Sequence, residues 1–228
     1  MPRERPRIGE WNEEEAFAAF EGHVQNKDIS KEDLLRLRPW HSTPWHEKPH
    51  KCKVSVGDAA PDTKLVHLDG SKTSVHKVVE CDTPVVLVFG SITCPPFRSM
   101  FLKEIDEIVG EQKGKVKLVV VYLAEAHPKD GWHLGVNDKQ EVEITAHSTI
   151  EDRIASAKKL KEMYPHIKEL VVDSIDNDTD NMYEAQSSRI YVIHDKKIVY
   201  QSHVGPFQIS PSSLQTFLWE WPVVAEKS

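Results

Sequence analysis

A chain of 228 residues, 29% charged and 39% apolar, has the makeup of a soluble globular protein with room for one medium domain and an extension. Its formal net charge of −7 removes the electrostatic case for nucleic acid or an acidic membrane as partner. No apolar run is long enough to cross a bilayer, and the basic residues after Met1 have no apolar stretch behind them, so neither a membrane span nor a secretory signal is expected.

Residues 1–53 read as a helical and irregular arm. Asn12-Glu13-Glu14-Glu15 resembles a capping box, with Phe17, Phe20 and Val24 on one helical stripe behind it. Ser30 can cap a second short helix, which Pro39 stops. From Trp40 to Cys52 the pattern is irregular and proline-rich. His41, His46, His50 and Cys52 lie there at spacings of five, four and two, irregular for a structural zinc site, so no metal is expected.

Residues 54–228 alternate strands and helices, the signature of an α/β layer fold. Lys64 to Leu68 reads as a short strand, followed by an Asp69-Gly70 turn. The run Pro84-Val85-Val86-Leu87-Val88-Phe89 is wholly apolar and reads as a buried parallel strand. Phe97, Phe101, Ile105 and Ile108 then recur at helical spacing. Lys117 to Leu123 is a second buried strand, and Ala124 to about Gln140 a long loop. Ser148-Thr149-Ile150-Glu151 forms a capping box for a helix continued by Ile154, Ala157 and Leu160. Leu170 to Val172 is a strand and Asp176 to Asn181 a polar loop. Arg189–His194 and Ile198–Gln201 form a hairpin around Asp195-Lys196-Lys197, and Pro211 to Trp219 makes the last helix.

Cys94 lies on the turn between the first buried strand and its helix. Pro95 disfavours a helical conformation at Cys94 and suits the first helical turn itself. The sulfur is therefore set beside a helix N-terminus, where partial positive charge favours thiolate, the nucleophilic form. A buried structural cysteine is the commoner fate of a lone thiol, but this placement is an activating one. The three cysteines, Cys52, Cys81 and Cys94, make no disulfide framework, and a reducing cytosol is the simplest setting. Ser91 and Phe97 occupy the positions a C-x-x-C partner would need. Cys81 is separated from Cys94 by a strand of about seven residues, roughly 20 Å, beyond the Cα limit of about 7 Å for a disulfide.

The segment Tyr122 to Trp132 follows the neighbouring strand. Sites in open α/β sheets gather at the carboxyl ends of strands, so Glu125 and His127 should emerge on the same rim as Cys94. Histidine titrates near neutrality and can move a proton.

The element order, βαβ, then a helix, then a β-hairpin and a final helix, is the thioredoxin-like order. Val56-Gly57-Asp58-Ala59-Ala60-Pro61-Asp62 resembles the entry segment of peroxiredoxin-type thioredoxin folds. Gly90-Ser91-Ile92-Thr93-Cys94-Pro95-Pro96-Phe97 resembles the active segment of the iodothyronine deiodinase family, where selenocysteine stands at the position of Cys94. Glu125-Ala126-His127 through Asp130-Gly131-Trp132 is similar to that family's second block. His147 with Asp152-Arg153 resembles a third, Val172-Asp173 through Arg189-Ile190-Tyr191 a fourth, and Gly205-Pro206 a fifth. The resemblance runs from about Val56 to Leu218.

It implies a thioredoxin-like α/β fold, with a central mixed sheet flanked by helices, and a reductive dehalogenase. Cys94 would be the nucleophile, and His127 and His147 would serve proton transfer or substrate binding. Glu125, Arg189 and Thr93 would bind the substrate, a small halogenated aromatic; a guanidinium suits its carboxylate. The reductant would be an external thiol such as glutathione or thioredoxin, with no bound cofactor, and the family's habit implies a homodimer. Four departures qualify this. Sulfur replaces selenium, Ile92 stands where many members carry a second cysteine, Ser187 stands where the family has proline before Glu-Arg-Leu, and a polar arm replaces the membrane anchor. A thiol peroxidase is the main rival: Ser91 lies three residues before Cys94, although Leu87 occupies the position of that motif's proline. A redox module without turnover is the other.

Overall fold

The computed structural model describes residues 53–131, 133–185, 188–203 and 209–225. The arm expected over residues 1–53, including Cys52, lies outside these residues apart from Lys53, as do Trp132, Ser187, Gly205 and Pro206.

One seven-stranded sheet organises the chain, in the order β2-β1-β5-β4-β3-β6-β7. Strands β1 (Lys64–His67) and β2 (Lys72–Ser74) form an antiparallel hairpin, followed by the single turn α1 (Val75–Val78). The central strands β3 (Val85–Gly90), β4 (Lys117–Tyr122) and β5 (Glu169–Asp173) are parallel. Strand β6 (Arg189–His194) returns antiparallel to β3, and β7 (Lys197–Gln201) antiparallel to β6. The unit β4-β3-β6-β7, with a helix between β3 and β4 and another after β7, has thioredoxin-like topology.

Every residue of β3 is buried, as its unbroken apolar run requires when both faces of a parallel sheet are covered. Alternation sends Val86 and Val88 to one face, where they join Ile92, Cys94, Phe97 and Tyr122. Val85, Leu87 and Phe89 go to the other, with Tyr183 and Tyr191. Helix α2 (Leu102–Glu111) covers the first face with Leu102, Ile105 and Ile108. It is preceded by a wide turn, Phe97–Phe101, with π-helical hydrogen bonding. That turn seats the Phe97 ring against the backbone of Gly90, where any side-chain carbon would overlap it.

Three segments differ from the sequence reading. The loop expected over 124–140 contains a short helix, α3 (Gly135–Lys139). Helix α4 (Ile150–Met163) is capped by Thr149, one residue later than expected. Thr149 is extended and its hydroxyl accepts from Asp152 N, while the Asp152 carboxylate accepts from Thr149 N and also reaches Ser148 N. Asp therefore takes the role expected of Glu151. The polar loop over 176–181 closes into α5 (Asp178–Tyr183). Asp173 draws it in, accepting from Thr179 N at 2.9 Å and Asp180 N at 3.0 Å. The final helix, α6 (Pro211–Ala225), runs past Trp219. The β6–β7 turn is as tight as expected: Asp195 and Lys196 both have positive φ, 49° and 57°, the geometry of a two-residue hairpin.

Among the described residues no helix is long and apolar enough to cross a membrane.

Candidate active site

Strand β3 ends at Gly90, and Ser91 to Cys94 turn the chain into the helix begun by Pro95. Cys94 N donates to Ser91 O at 3.1 Å, and Arg98 N returns to Cys94 O at 3.0 Å, closing the first helical turn. Cys94 thus sits at the cap position that the Cys-Pro pairing suggested. It is buried, 1% exposed, with its sulfur 3.9 Å from Ser188 Oγ. Burial alone favours the neutral thiol, so the surroundings decide whether the thiolate forms.

Those surroundings are polar and tightly connected. Glu125, on the loop after β4, is the hub. Its Oε2 accepts from the Thr93 hydroxyl at 2.5 Å and from Thr93 N at 3.2 Å. Its Oε1 accepts from the Tyr122 hydroxyl and lies 3.2 Å from His147 Nε2. The Tyr122 oxygen in turn accepts from Ile92 N at 3.2 Å. Ser91 Oγ accepts from Ala126 N at 3.0 Å, and Thr93 Oγ1 accepts from His127 N at 3.1 Å. The bonds made by Ser91, Ile92 and Thr93 all join the cysteine loop to the end of β4 and the loop after it, so the two chain segments are tied together. Burial pushes the Tyr122 phenol well above its ordinary pKa, and the adjoining Glu125 charge adds to this. Tyr122 therefore remains a hydroxyl donor across the neutral range.

His147 is fixed from behind. Arg153 Nε points at His147 Nδ1, 3.4 Å away, so Nδ1 is the acceptor and the neutral ring carries its proton on Nε2. Nε2 faces both Glu125 and Ser156 Oγ, the latter at 3.0 Å. Arg153 is itself anchored by Ser174 O at 2.6 Å, Asp173 O at 3.3 Å and Asn177 Oδ1 at 2.8 Å. The third motif thus holds together in space: helix α4 supplies Arg153 and Ser156, and these orient the histidine just ahead of it.

A second set of bonds braces the loop from the helix side. The buried Arg98 guanidinium donates to Ile92 O, to Asn137 Oδ1 at 3.1 Å and to Gln140 Oε1. Asn137, fully buried, passes the connection on by donating to Thr93 O at 2.9 Å.

Of the residues expected in the site, Cys94, Thr93, Glu125 and His147 are brought together. His127 joins through its main-chain bond to Thr93 and is buried beside them. Arg189 is placed differently. It shares the sheet face of Phe89 and Tyr191, opposite the face of Ile92 and Phe97, because residues on a strand alternate. Its guanidinium donates to Glu184 O at 3.1 Å, Ser202 O at 3.3 Å and Tyr183 O at 3.4 Å, and packs over the Tyr191 ring. These bonds run to the chain itself. The sequence reading missed Tyr122, counted as part of an apolar strand, and Asn137, taken as loop. It also missed Arg98, although a cation beside the Phe97–Phe101 stripe was a visible signal.

The geometry defines a thioredoxin-fold protein with a thiol at the β3–helix junction and a carboxylate–histidine pair beside it. The iodothyronine deiodinase family model matches residues 24–221. The type I iodothyronine deiodinase of Xenopus laevis is 33% identical over 163 residues, covering 72% of this chain and 62% of that protein. The thyroxine 5-deiodinase of Gallus gallus is 34% identical over 164 residues, again covering 72% and 62%. A thioredoxin-like protein from Porphyromonas gingivalis superposes with a TM-score of 0.49 at 16% identity, over 71% of this chain and 90% of that one. The chain belongs to the iodothyronine deiodinase family. The match begins upstream of Val56, inside the region read as an arm, and the chain spans 62% of the length of the two deiodinases named.

Proposed function

We propose that this protein is a cysteine-dependent reductive dehalogenase that removes iodine, or another halogen, from an activated phenol at the expense of an external thiol. The observation that carries this reading is the continuous connection from the Cys94 loop through Thr93 and Glu125 to His147. It puts a proton source within a few bonds of a thiol at a helix start.

In the reaction, the Cys94 thiolate attacks the halogen of the ring. The carbon–halogen bond breaks with its electron pair left on carbon, and that carbon takes a proton delivered from the His147–Glu125 pair, with His127 as the second donor on the rim. The sulfur is oxidised to a sulfenyl halide and the ring is reduced. An external thiol, such as glutathione or thioredoxin, then displaces halide to give a mixed disulfide, and a second thiol releases Cys94 and leaves as the oxidised disulfide. Both electrons come from the thiol, so the scheme needs no resident cofactor. Thr93, held by Glu125 next to the sulfur-bearing residue, is the group assigned to orient the phenol.

Offering the purified protein an iodinated phenol or hydrogen peroxide, each with dithiothreitol, tests the reading. Thiol-dependent iodide release supports it. Peroxide consumption without iodide release makes the protein a thiol peroxidase, and neither reaction makes it a redox module.

A further inference from the structure

We propose that Arg98 is the counter-ion of the Cys94 thiolate, a positioning residue that makes a buried sulfur nucleophilic at neutral pH. The proposal rests on the reading of Cys94 as the reacting group.

Arg98 stands four residues after Cys94, in the first turn of the helix that Cys94 caps, and its amide bonds to Cys94 O at 3.0 Å. Residues at this spacing share a helix face, and long helical side chains run back toward the N-terminus. Arg98 does so: its guanidinium reaches back to Ile92 O, two residues before the cysteine. The residue is 2% exposed. Its other acceptors, Asn137 Oδ1 and Gln140 Oε1, are neutral. Among the described residues no carboxylate lies within ion-pair distance of it. A guanidinium stays charged in proteins, and a buried charge with only neutral partners is costly. The structure therefore holds a positive charge in want of a negative one.

The titratable groups that face Arg98 are Cys94 from its own turn, Tyr122 and Glu125 from β4 and its loop, and Tyr164 from the end of α4. The two phenols are neutral, since burial raises both. Glu125 is already engaged by Tyr122, Thr93 and His147. Cys94 is the remaining acidic group, one helical turn before Arg98 on the same face. The thiolate and the guanidinium thus relieve each other. The cation offsets the burial that would keep the thiol protonated, and the anion balances the arginine that the fold has taken out of water. The helix N-terminus adds to the same sign.

The test is the pH dependence of Cys94 alkylation by iodoacetamide, read by peptide mapping so that Cys52 and Cys81 do not contribute. In the full-length protein the midpoint should lie below the free-cysteine value of about 8.5. In Arg98→Met it should rise by about one unit or more. Arg98→Lys, which keeps the charge but not the fork of hydrogen bonds, should bring it most of the way back. A folded Arg98→Met protein with an unmoved midpoint overturns the proposal, as does a Lys variant no different from Met. If Arg98→Met does not fold, wild type and Cys94→Ser are compared by thermal melting between pH 6 and about 9.5. A thiol whose folded pKa is depressed stabilises the fold above its unfolded pKa and loses that stabilisation as pH falls through the folded one. The wild-type advantage should therefore grow as pH rises toward about 8.5. A flat difference overturns the proposal. Neither measurement uses a halogenated substrate. An Arg98-dependent midpoint without iodide release would overturn the dehalogenase reading and leave the counter-ion intact.

Discussion

Strand β3 has a cysteine beyond each end, and the two are chemically unalike. Cys81, before the strand, is an exposed free thiol, and among the described residues its Sγ hydrogen-bonds to Thr83, at 3.2 Å from the carbonyl and 3.6 Å from the hydroxyl. Cys94, after the strand, is buried, begins a helix, and has Arg98, Thr93 and Ser188 around it. Exposure alone would name Cys81 as the reactive thiol. The reactivity proposed for Cys94 rests on organised charge at the carboxyl end of the sheet, since a thiol becomes a nucleophile only where its anion is stabilised. The six-residue strand between them also keeps the two sulfurs too far apart to form a disulfide without unfolding.

The comparison breaks most sharply by removing each sulfur in turn. Cys94→Ala should abolish thiol-dependent iodide release with the fold retained, as judged by circular dichroism, whereas Cys81→Ser should keep most of it. Next in size is Glu125→Gln, which preserves shape but removes the charge that links Thr93 to His147. Turnover should fall by about 10²–10⁴, the range for losing a proton-transfer partner, and steady-state iodide release would measure it.

Tyr122→Phe should cost stability as well as rate. It leaves Ile92 N and Glu125 Oε1 each short of a buried partner. Each such loss is worth about 1–3 kcal/mol, and urea unfolding would show it. The same phenol enters a prediction about pH. Burial raises the folded pKa of Tyr122, Tyr183 and Tyr200 above the ordinary phenol value. Acids raised in this way stabilise the fold fully below the unfolded pKa of about 10, and that stabilisation is lost as pH rises above it. Melting temperature should therefore drop steeply in alkali, and Tyr183→Phe should make the drop shallower. The smallest effect belongs to a residue remote from both sulfurs. Thr149→Ala removes one half of the α4 capping box and should destabilise by about 1 kcal/mol, measurable as a shift in the denaturation midpoint.

Much of this arrangement was legible because the signals were local. The apolar run of β3, the Cys-Pro pair and the stripe from Phe97 to Ile108 depend on neighbours in sequence, and the structure has them where the periodicity put them. Short helices inside polar segments were not legible. Helix α5 forms because Asp173, at the end of a different element, supplies acceptors for its first amides, and no pattern within 176–183 encodes that. The same holds in the site. Cys94, Glu125 and His147 could be named from motif blocks, but the roles of Tyr122, Asn137 and Arg98 follow from bonds spanning about thirty residues or more of chain, which only tertiary packing creates. Arg189 shows how far a strand's alternation reaches. A basic residue before an apolar strand looked available to a ligand, and the alternation of β6 instead turned it to carbonyls on the far face.

The most direct test is a single turnover without added thiol. Protein is mixed with one equivalent of an iodinated phenol, released iodide is counted, and the oxidation state of each cysteine is mapped by mass spectrometry. Water must displace iodide from the sulfenyl iodide when no thiol is present, so one iodide is expected per Cys94 converted to its sulfenic acid, with Cys81 unchanged. Iodide release with Cys94 still reduced, or oxidation at Cys81 in its place, would contradict it.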